Sequence, residues 1–277
     1  MKRIPTLFVG STICVVMLLM AFTGWLWTPY DPLAVDSTAA FASPSWRHAL
    51  GTDQLGRDIL STLWDGARTS LFTAVLAAAF AMVIGGSAGI MAASSRRFVD
   101  EAVLAISTVF VAFPALLLGL LVVAARGPST TTAIITVAVA AGASVSIVTR
   151  RDAVDVMRAN YVLAARYSGA STWAIVKRHV VRNVAASLTV QATGAASLAL
   201  IAESTLSYLG LGTTPPTPSW GRMLASTQQY LLVHPLVMLW PALFICLTVL
   251  GINLLGDGLR ERFDPSLRTQ LYSQNGG

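Results

Sequence analysis

The sequence predicts an all-α polytopic membrane protein with six transmembrane helices, and three observations carry that prediction. Hydrophobic residues make up 55% of the 277 positions and charged residues only 12%, about half the charged share of a soluble domain. The mean hydropathy is +0.66. The few charges are gathered between long uncharged runs, each longer than the roughly 20 apolar residues that cross ~30 Å of hydrocarbon. A lone span with no water around it must satisfy its own backbone donors and acceptors. Helices do so, and the alternating pattern of barrel strands is absent.

The first span is Ile4–Tyr30. Met1-Lys2-Arg3 would suit a signal peptide, but the apolar stretch is too long and lacks an Ala-x-Ala cleavage site, so a retained anchor is expected. The polar segment Asp31–Arg68 follows outside the membrane. It opens with Pro29, Pro32 and Pro44 and closes in an expected interfacial helix over Gln54–Ala67, where Leu55, Ile59, Leu60, Leu63 and Trp64 share helical spacing. Thr69–Ser95 is the second span. Its Gly85-Gly86-Ser87-Ala88-Gly89 spells the G-x-S-x-G of a nucleophile elbow, which needs a strand and a sharp turn around the serine. Mid-span, Gly85 and Gly89 instead lie four apart on one helix face and let a neighbouring helix approach.

Ala102–Ala125 and Gly127–Thr149 form the third and fourth spans. The inner segment Arg150–Arg182 leads to a fifth span, from Asn183, broken only by Glu203. An outer segment, Pro215–Arg222, precedes the sixth span, Met223–Gly256, and Asp257–Gly277 lies inside. The expected organisation is an anchor helix and extracytoplasmic segment over 1–68, a core membrane domain over 69–268 with a cytoplasmic loop at about 150–182, and a disordered tail over 269–277.

Net charge is +6, from 19 Lys and Arg against 13 Asp and Glu. With both termini cytoplasmic, 14 of the 19 basic residues fall on inner segments, and Arg47, Arg57, Arg68, Arg126 and Arg222 remain outside. That is the positive-inside bias of a multi-pass cell-membrane protein, and it leaves no nucleic-acid face to explain. Cys14 and Cys246 sit in separate apolar runs with no disulfide or metal-site spacing. His48, His179 and His234 lie in three segments on both sides of the membrane and cannot converge on one metal. Leu254-Leu255-Gly256-Asp257-Gly258 approaches the motif of intramembrane aspartyl proteases but lacks the first glycine and a second mid-membrane aspartate. No Walker A sequence is present, so this chain is expected to have no catalytic residues, no metal and no cofactor of its own.

Glu203 lies about nine residues, or ~13 Å, from the outer end of its apolar run, near the expected midplane. A lone carboxylate there is costly and marks either a functional group or a structural hydrogen bond to a neighbouring helix. With Ser207 and Tyr208 it is a candidate for the translocation pathway or gate. Asn160–Asn183 reads as a short helix, a break at Gly169 and a second, basic helix. Small Ala164, Ala165 and Gly169 beside Tyr161 and Tyr167 would let the first helix seat closely in a protein groove while its aromatics fix its position.

Leu163-Ala164-Ala165-x-x-x-Gly169 is similar to the cytoplasmic-loop motif of permease subunits of binding-protein-dependent ABC importers, with Leu163 in place of the motif's Glu and Arg182 in place of its Pro. His48-Ala-Leu-Gly-Thr-Asp-Gln-Leu-Gly-Arg-Asp58 resembles the outer motif of the C-subunit type of dipeptide and oligopeptide permeases. Glu203–Gly212, Pro215–Gly221, Asn253–Arg260 with Asp264-Pro265, and Lys177-Arg178-His179 match further segments, in order, over roughly residues 5–268. The resemblance implies a type I ABC importer permease fold and one half of a permease heterodimer. It further implies two cytoplasmic ABC ATPases that bind ATP and Mg, and an extracytoplasmic peptide-binding protein. On this chain, Tyr161, Ala164, Ala165, Arg166, Tyr167 and Gly169 would dock to an ATPase, and His48, Asp53, Arg57, Asp58, Pro216 and Trp220 would form the outer rim. Gly51, Gly56, Pro215, Pro216 and Gly221 have a plainer reading as turn formers, and Trp220 as an interfacial anchor. A stand-alone proton-linked carrier using Glu203 is the alternative from another class.

Overall fold

A computed structural model describes residues 6–263, so the expected tail over 269–277 and the Asp264-Pro265 match lie outside the described residues. The described residues form ten α-helices with no strand beyond a single Thr52–Asp58 bridge. Five helices are long and apolar enough to cross a membrane, and a bent helix pair makes a sixth crossing if counted as one span.

Helix α1 (Thr6–Leu26) buries only Gly10 and Met17, as a lipid-facing anchor should. It packs along the last helix, α10 (Pro235–Phe263): a side chain at Gly10 would meet the backbone of Leu254 and Leu255. Helix α2 (Ile59–Ser94) is longer than expected. Its 36 residues span ~54 Å, more than the hydrocarbon thickness. Asp58 caps it by accepting from the Ser61 N–H, and nothing interrupts it at Arg68. The expected interfacial helix over Gln54–Ala67 is therefore corrected: Leu63 and Ala67 are core residues at the outer end of α2, and residues 59–68 belong to the same helix as the second span.

The third span is also corrected. It is not one straight helix over Ala102–Ala125 but α3 (Arg97–Ala112) and α4 (Ala115–Arg126), bent by 95°. Pro114 is the cause: it has no N–H for the ladder, and it holds Phe113 in the extended region at ψ 125°. Helix α5 (Thr130–Met157) runs two turns past the expected inner boundary at Thr149, and there Arg150 forms a bidentate pair with Asp100 of α3.

Helix α6 (Asn160–Tyr167) is followed by a turn at Gly169. α7 (Thr172–Ile175) then runs through a π turn, Val176–Val180, into α8 (Val181–Tyr208). The basic helix expected after Gly169 is therefore the foot of the fifth span itself. The sixth span is corrected as well: α9 (Trp220–Thr227) and a 3₁₀ turn (Gln228–Tyr230) precede α10, which starts only at Pro235.

Small residues set the helix spacing. Ala78, Ala81, Ala141, Val145 and Ala195 join α2, α5 and α8 mid-bundle, while Ala153, Val176, Val180 and Val184 close the inner end. The glycine face expected on the second span is the α2–α5 seam. A Cβ at Gly85 would meet the Gly142 carbonyl oxygen and come within 2.8 Å of Val145 Cβ, and one at Gly89 would lie 2.6 Å from the Ser146 carbonyl oxygen. Gly85→Val is thus expected to push these helices apart and destabilise the purified chain by about 1–3 kcal/mol in thermal melts. Gly194→Ala, where an added Cβ meets nothing within 4 Å, should change the melt little.

Candidate functional site

The candidate residues gather at opposite ends of the bundle, named inner and outer after the orientation expected from the basic residues. At the inner end, all six expected docking residues lie on α6 or in the turn that ends it. Gly169 at φ +85° donates to the Arg166 carbonyl (3.0 Å) and Ala170 donates to that of Ala165 (3.1 Å), a Schellman arrangement that needs the left-handed residue. Val162 is the one buried residue of α6. It pins the helix at one point, and the Tyr161 ring lies 5.6 Å from that of His179 in the π turn. Tyr167 is 91% exposed, Trp173 is 74% exposed, and Ala164 and Arg166 are exposed as well. A helix of this kind presents an apolar and cationic face with little of its own chain to cover it.

Sequence reasoning did not find the cationic wall beside α6. Arg96, Arg158 and Arg166 line one open cavity of about 870 Å³ together with Ser94, Ser95 and Thr172. Arg96 stands on one inner segment and Arg158 and Arg166 on another, and nothing in their spacing showed that the two segments meet.

At the outer end, His48, Asp53, Arg57 and Asp58 belong to one hydrogen-bonded bracket. His48 Nδ1 lies 2.9 Å from Asp58 Oδ1, and Asp58 Oδ2 accepts from the Ser61 N–H (2.8 Å) and hydroxyl (2.7 Å). Asp53 Oδ1 accepts from the N–H groups of Leu55 (2.8 Å) and Arg57 (2.9 Å). Burial raises the Asp53 carboxyl above its ordinary value, and these backbone donors work against that rise. Gly56, at φ +71°, sits so close to the Asp36 carbonyl that a side chain has no room. Much of the motif therefore serves to shape a rigid turn.

Pro216 is exposed and shares a cavity with Arg57. Trp220 is neither a rim residue nor an interfacial anchor: it is fully buried, its indole Nε1 donates to the Leu63 carbonyl (3.0 Å), and its backbone N–H donates to Ser70 Oγ (3.1 Å). The reason is local. Ser219 caps α9 by accepting from the Arg222 N–H, and this turns the next residue inward against Gly66 of α2.

Glu203 lies five residues from the end of α8, because the helix stops at Tyr208 and not at Gly212; this places it ~7.5 Å below the helix end. It is fully buried. The Ser207 hydroxyl donates to Oε1 (2.8 Å), Ser204 lies 3.5 Å from Oε2, and the side chains of Ser70 and Ser219 neighbour the carboxyl group. Ser207 Oγ in turn accepts from the Thr213 N–H (3.1 Å). The group thus ties α8 to α2, to the 209–219 loop and to the start of α9. Tyr208 points elsewhere, its hydroxyl bonded to the Gln228 side chain. Ser70 and Ser219 were not anticipated, although Ser219 directly before an apolar helical run is a readable N-cap signal.

One more cavity lies at the bend of the third span. The Phe113–Pro114 bend, with Phe110, Thr136, Leu198 and Thr205, lines an apolar cavity of about 480 Å³ between α4, α5 and α8.

Comparison with known proteins adds a family. A model described as the binding-protein-dependent transport system inner membrane component matches residues 85–269. The chain is 36% identical over 262 residues to the nickel transport system permease protein NikC of Escherichia coli (strain K12), an alignment that covers 93% of each. It is 37% identical over 253 residues to the di/tripeptide transport system permease protein DppC of Pseudomonas aeruginosa, covering 89% of this chain and 83% of the relative. To the glutathione transport system permease protein GsiD of Pectobacterium atrosepticum it is 35% identical over 257 residues, covering 92% and 85%.

Proposed function

The chain belongs to the inner membrane components of binding-protein-dependent transport systems, and on that premise we propose that it is the C-subunit-type permease of an ATP-driven importer of dipeptides or short oligopeptides. It forms half of the pathway with a second permease and performs no chemistry itself. ATP and Mg are bound by two cytoplasmic ATPases, and an extracytoplasmic binding protein delivers the cargo. Both termini are cytoplasmic, as the distribution of basic residues supports. The proton-linked carrier reading finds no support in the family.

The observation that carries the coupling role is α6, held by buried Val162 while Tyr161, Leu163 and Tyr167 face outward. A nucleotide can drive a conformational switch only through unequal interaction with the two states, and a rigid helix seated in an ATPase groove transmits that difference. Displacement of α6 reaches the spans through its neighbours. The Ala153, Val176, Val180 and Val184 cluster joins the end of α5 to the foot of α8, and the π turn between Val176 and Val180 gives that foot a yielding register. Glu203 and Ser207 act at the other end as a structural tie, not as a gate, and the bend at Pro114 with its apolar cavity faces the pathway.

The experiment is reconstitution. In liposomes with the second permease, both ATPases and the binding protein, a dipeptide should accumulate against its gradient only when ATP is supplied. The chain alone should move nothing uphill. Uphill uptake by the isolated chain, or uptake that follows a proton gradient with ATP absent, would overturn the assignment. Relatives are named for nickel, di/tripeptide and glutathione transport, so competition among these three solutes reads out the cargo.

A further inference from the structure

Two arginines face one outer cavity with no ion-pair partner. The cavity, of about 290 Å³, lies between the outer bracket and the Pro215–Thr227 segment, and Asp53, Gln54, Arg57, Pro216, Arg222 and Ser226 are among its walls. At about 10–15 Å³ per water on the same scale, it has room for a side chain and several waters. Among the described residues, neither Arg57 nor Arg222 belongs to a salt bridge. Arg57 Nε, a donor, is buried without a hydrogen-bond partner, an arrangement that costs stability unless an acceptor completes it; Gln54 Oε1 is also unpaired, but it needs a donor, which water and not an anion supplies. Arg222 makes one weak bond, from Nη1 to the Thr213 carbonyl at 3.3 Å.

Charge bookkeeping gives the same direction. Asp53 is the one carboxylate on the cavity wall among the described residues, and its Oδ1 is already taken by two backbone N–H groups. Burial, and then the neighbouring charge of Arg57, hold the Arg222 guanidinium below its ordinary value, so the two cations repel one another in a partly dry setting. An anion placed between them would relieve that repulsion, and planar guanidinium groups fit a carboxylate through paired N–H donors.

We propose that this cavity receives a carboxylate side chain presented by the extracytoplasmic binding protein, gripped between Arg57 and Arg222. The proposal rests on the reading of this chain as an importer permease. Position favours the binding protein over free peptide as the source: both arginines stand on segments between spans, on a rim braced by the His48–Asp58 bond, whereas the apolar cavity at Pro114 lies within the bundle. A carboxylate captured here also fixes the orientation of the docked partner, since complementary charges set register and encounter rate more than bulk affinity.

The test uses the assembled importer in nanodiscs, with the binding protein titrated and ATP turnover recorded at low and physiological salt. Replacing both arginines, R57Q with R222Q, should raise the half-saturating concentration of binding protein about tenfold, equivalent to about 1.4 kcal/mol, and flatten its salt dependence. R57K with R222K should recover much of the loss, because the charge returns without the paired geometry. An unchanged half-saturation in the glutamine pair, equal defects in the glutamine and lysine pairs, or a shift confined to the response to free dipeptide would each overturn the proposal. If the wild-type assembly shows no stimulation by binding protein at all, the importer reading fails first. A stimulated wild type matched by the glutamine pair removes only the carboxylate site.

Discussion

Gly169→Pro is expected to abolish coupled uptake, lowering it at least tenfold, while the membrane helices still insert. The residue sits at φ +85°, and its N–H closes the end of α6 on the Arg166 carbonyl. Proline holds φ near −65° and has no N–H, so both the turn and its hydrogen bond are lost, at about 3 kcal/mol. The damage stays local, because nothing lies within 4 Å of a Cβ built at Gly169 and the turn is exposed. What changes is the angle at which α6 leaves the α7–α8 foot. Ala165→Arg should give the same phenotype by a different route, placing a long charged side chain on a half-buried position of α6. Gly169→Ala is the graded control. It has space for its methyl but not the preferred backbone conformation, a cost of about 1–2 kcal/mol that should weaken coupling without ending it. Co-purification of the ATPases and peptide-stimulated ATP turnover are the measurements, and normal turnover in the proline and arginine variants would refute a coupling role for this helix.

The features that could be read from the sequence share one property: they depend on residues close together in the chain. Uncharged run length located the spans, Gly169 placed the break after α6, and the Gly85–Gly89 spacing marked a helix seam. The errors arose where apolar composition hid a local backbone constraint. Pro114 bends a run that contains no charge, and the last span starts at Pro235, twelve residues into the uncharged run from Met223, because nothing charged after Arg222 marks a boundary there. Asp65 and Arg68 had the opposite effect. They suggested an end to the span, yet at i and i+3 they lie 3.8 Å apart on one helix and leave the backbone undisturbed. Conversely, the outer motif of His48–Asp58 looked like a contact surface, and most of its polar atoms turn out to hold the chain on itself. The groups that remain unsatisfied there, Arg57 above all, became visible only when Arg222 was brought beside it from far along the sequence.

Glu203→Ala should produce the largest loss of stability of any single change in the outer half of the bundle, about 2–4 kcal/mol in a detergent melt. Removing the carboxyl leaves a cavity beside Ser70 and Ser219 and strips the hydroxyls of Ser207 and Ser204 of their common acceptor. The consequences spread along the tie, because Ser207 also positions the Thr213 N–H, and Ser70 positions the N–H of Trp220. Loosening these contacts should lower assembly with the second permease before any effect on translocation can be seen. Glu203→Gln separates structure from charge. Its amide oxygen still accepts and its amide hydrogens can turn to hydroxyl oxygens, which accept as readily as they donate. The glutamine variant is expected to melt within about 1 kcal/mol of wild type and to keep uptake within about twofold. The opposite pattern, an unchanged melt with uptake lost, would mean that the negative charge itself acts during the cycle, and Glu203 would return to the translocation pathway as a working group.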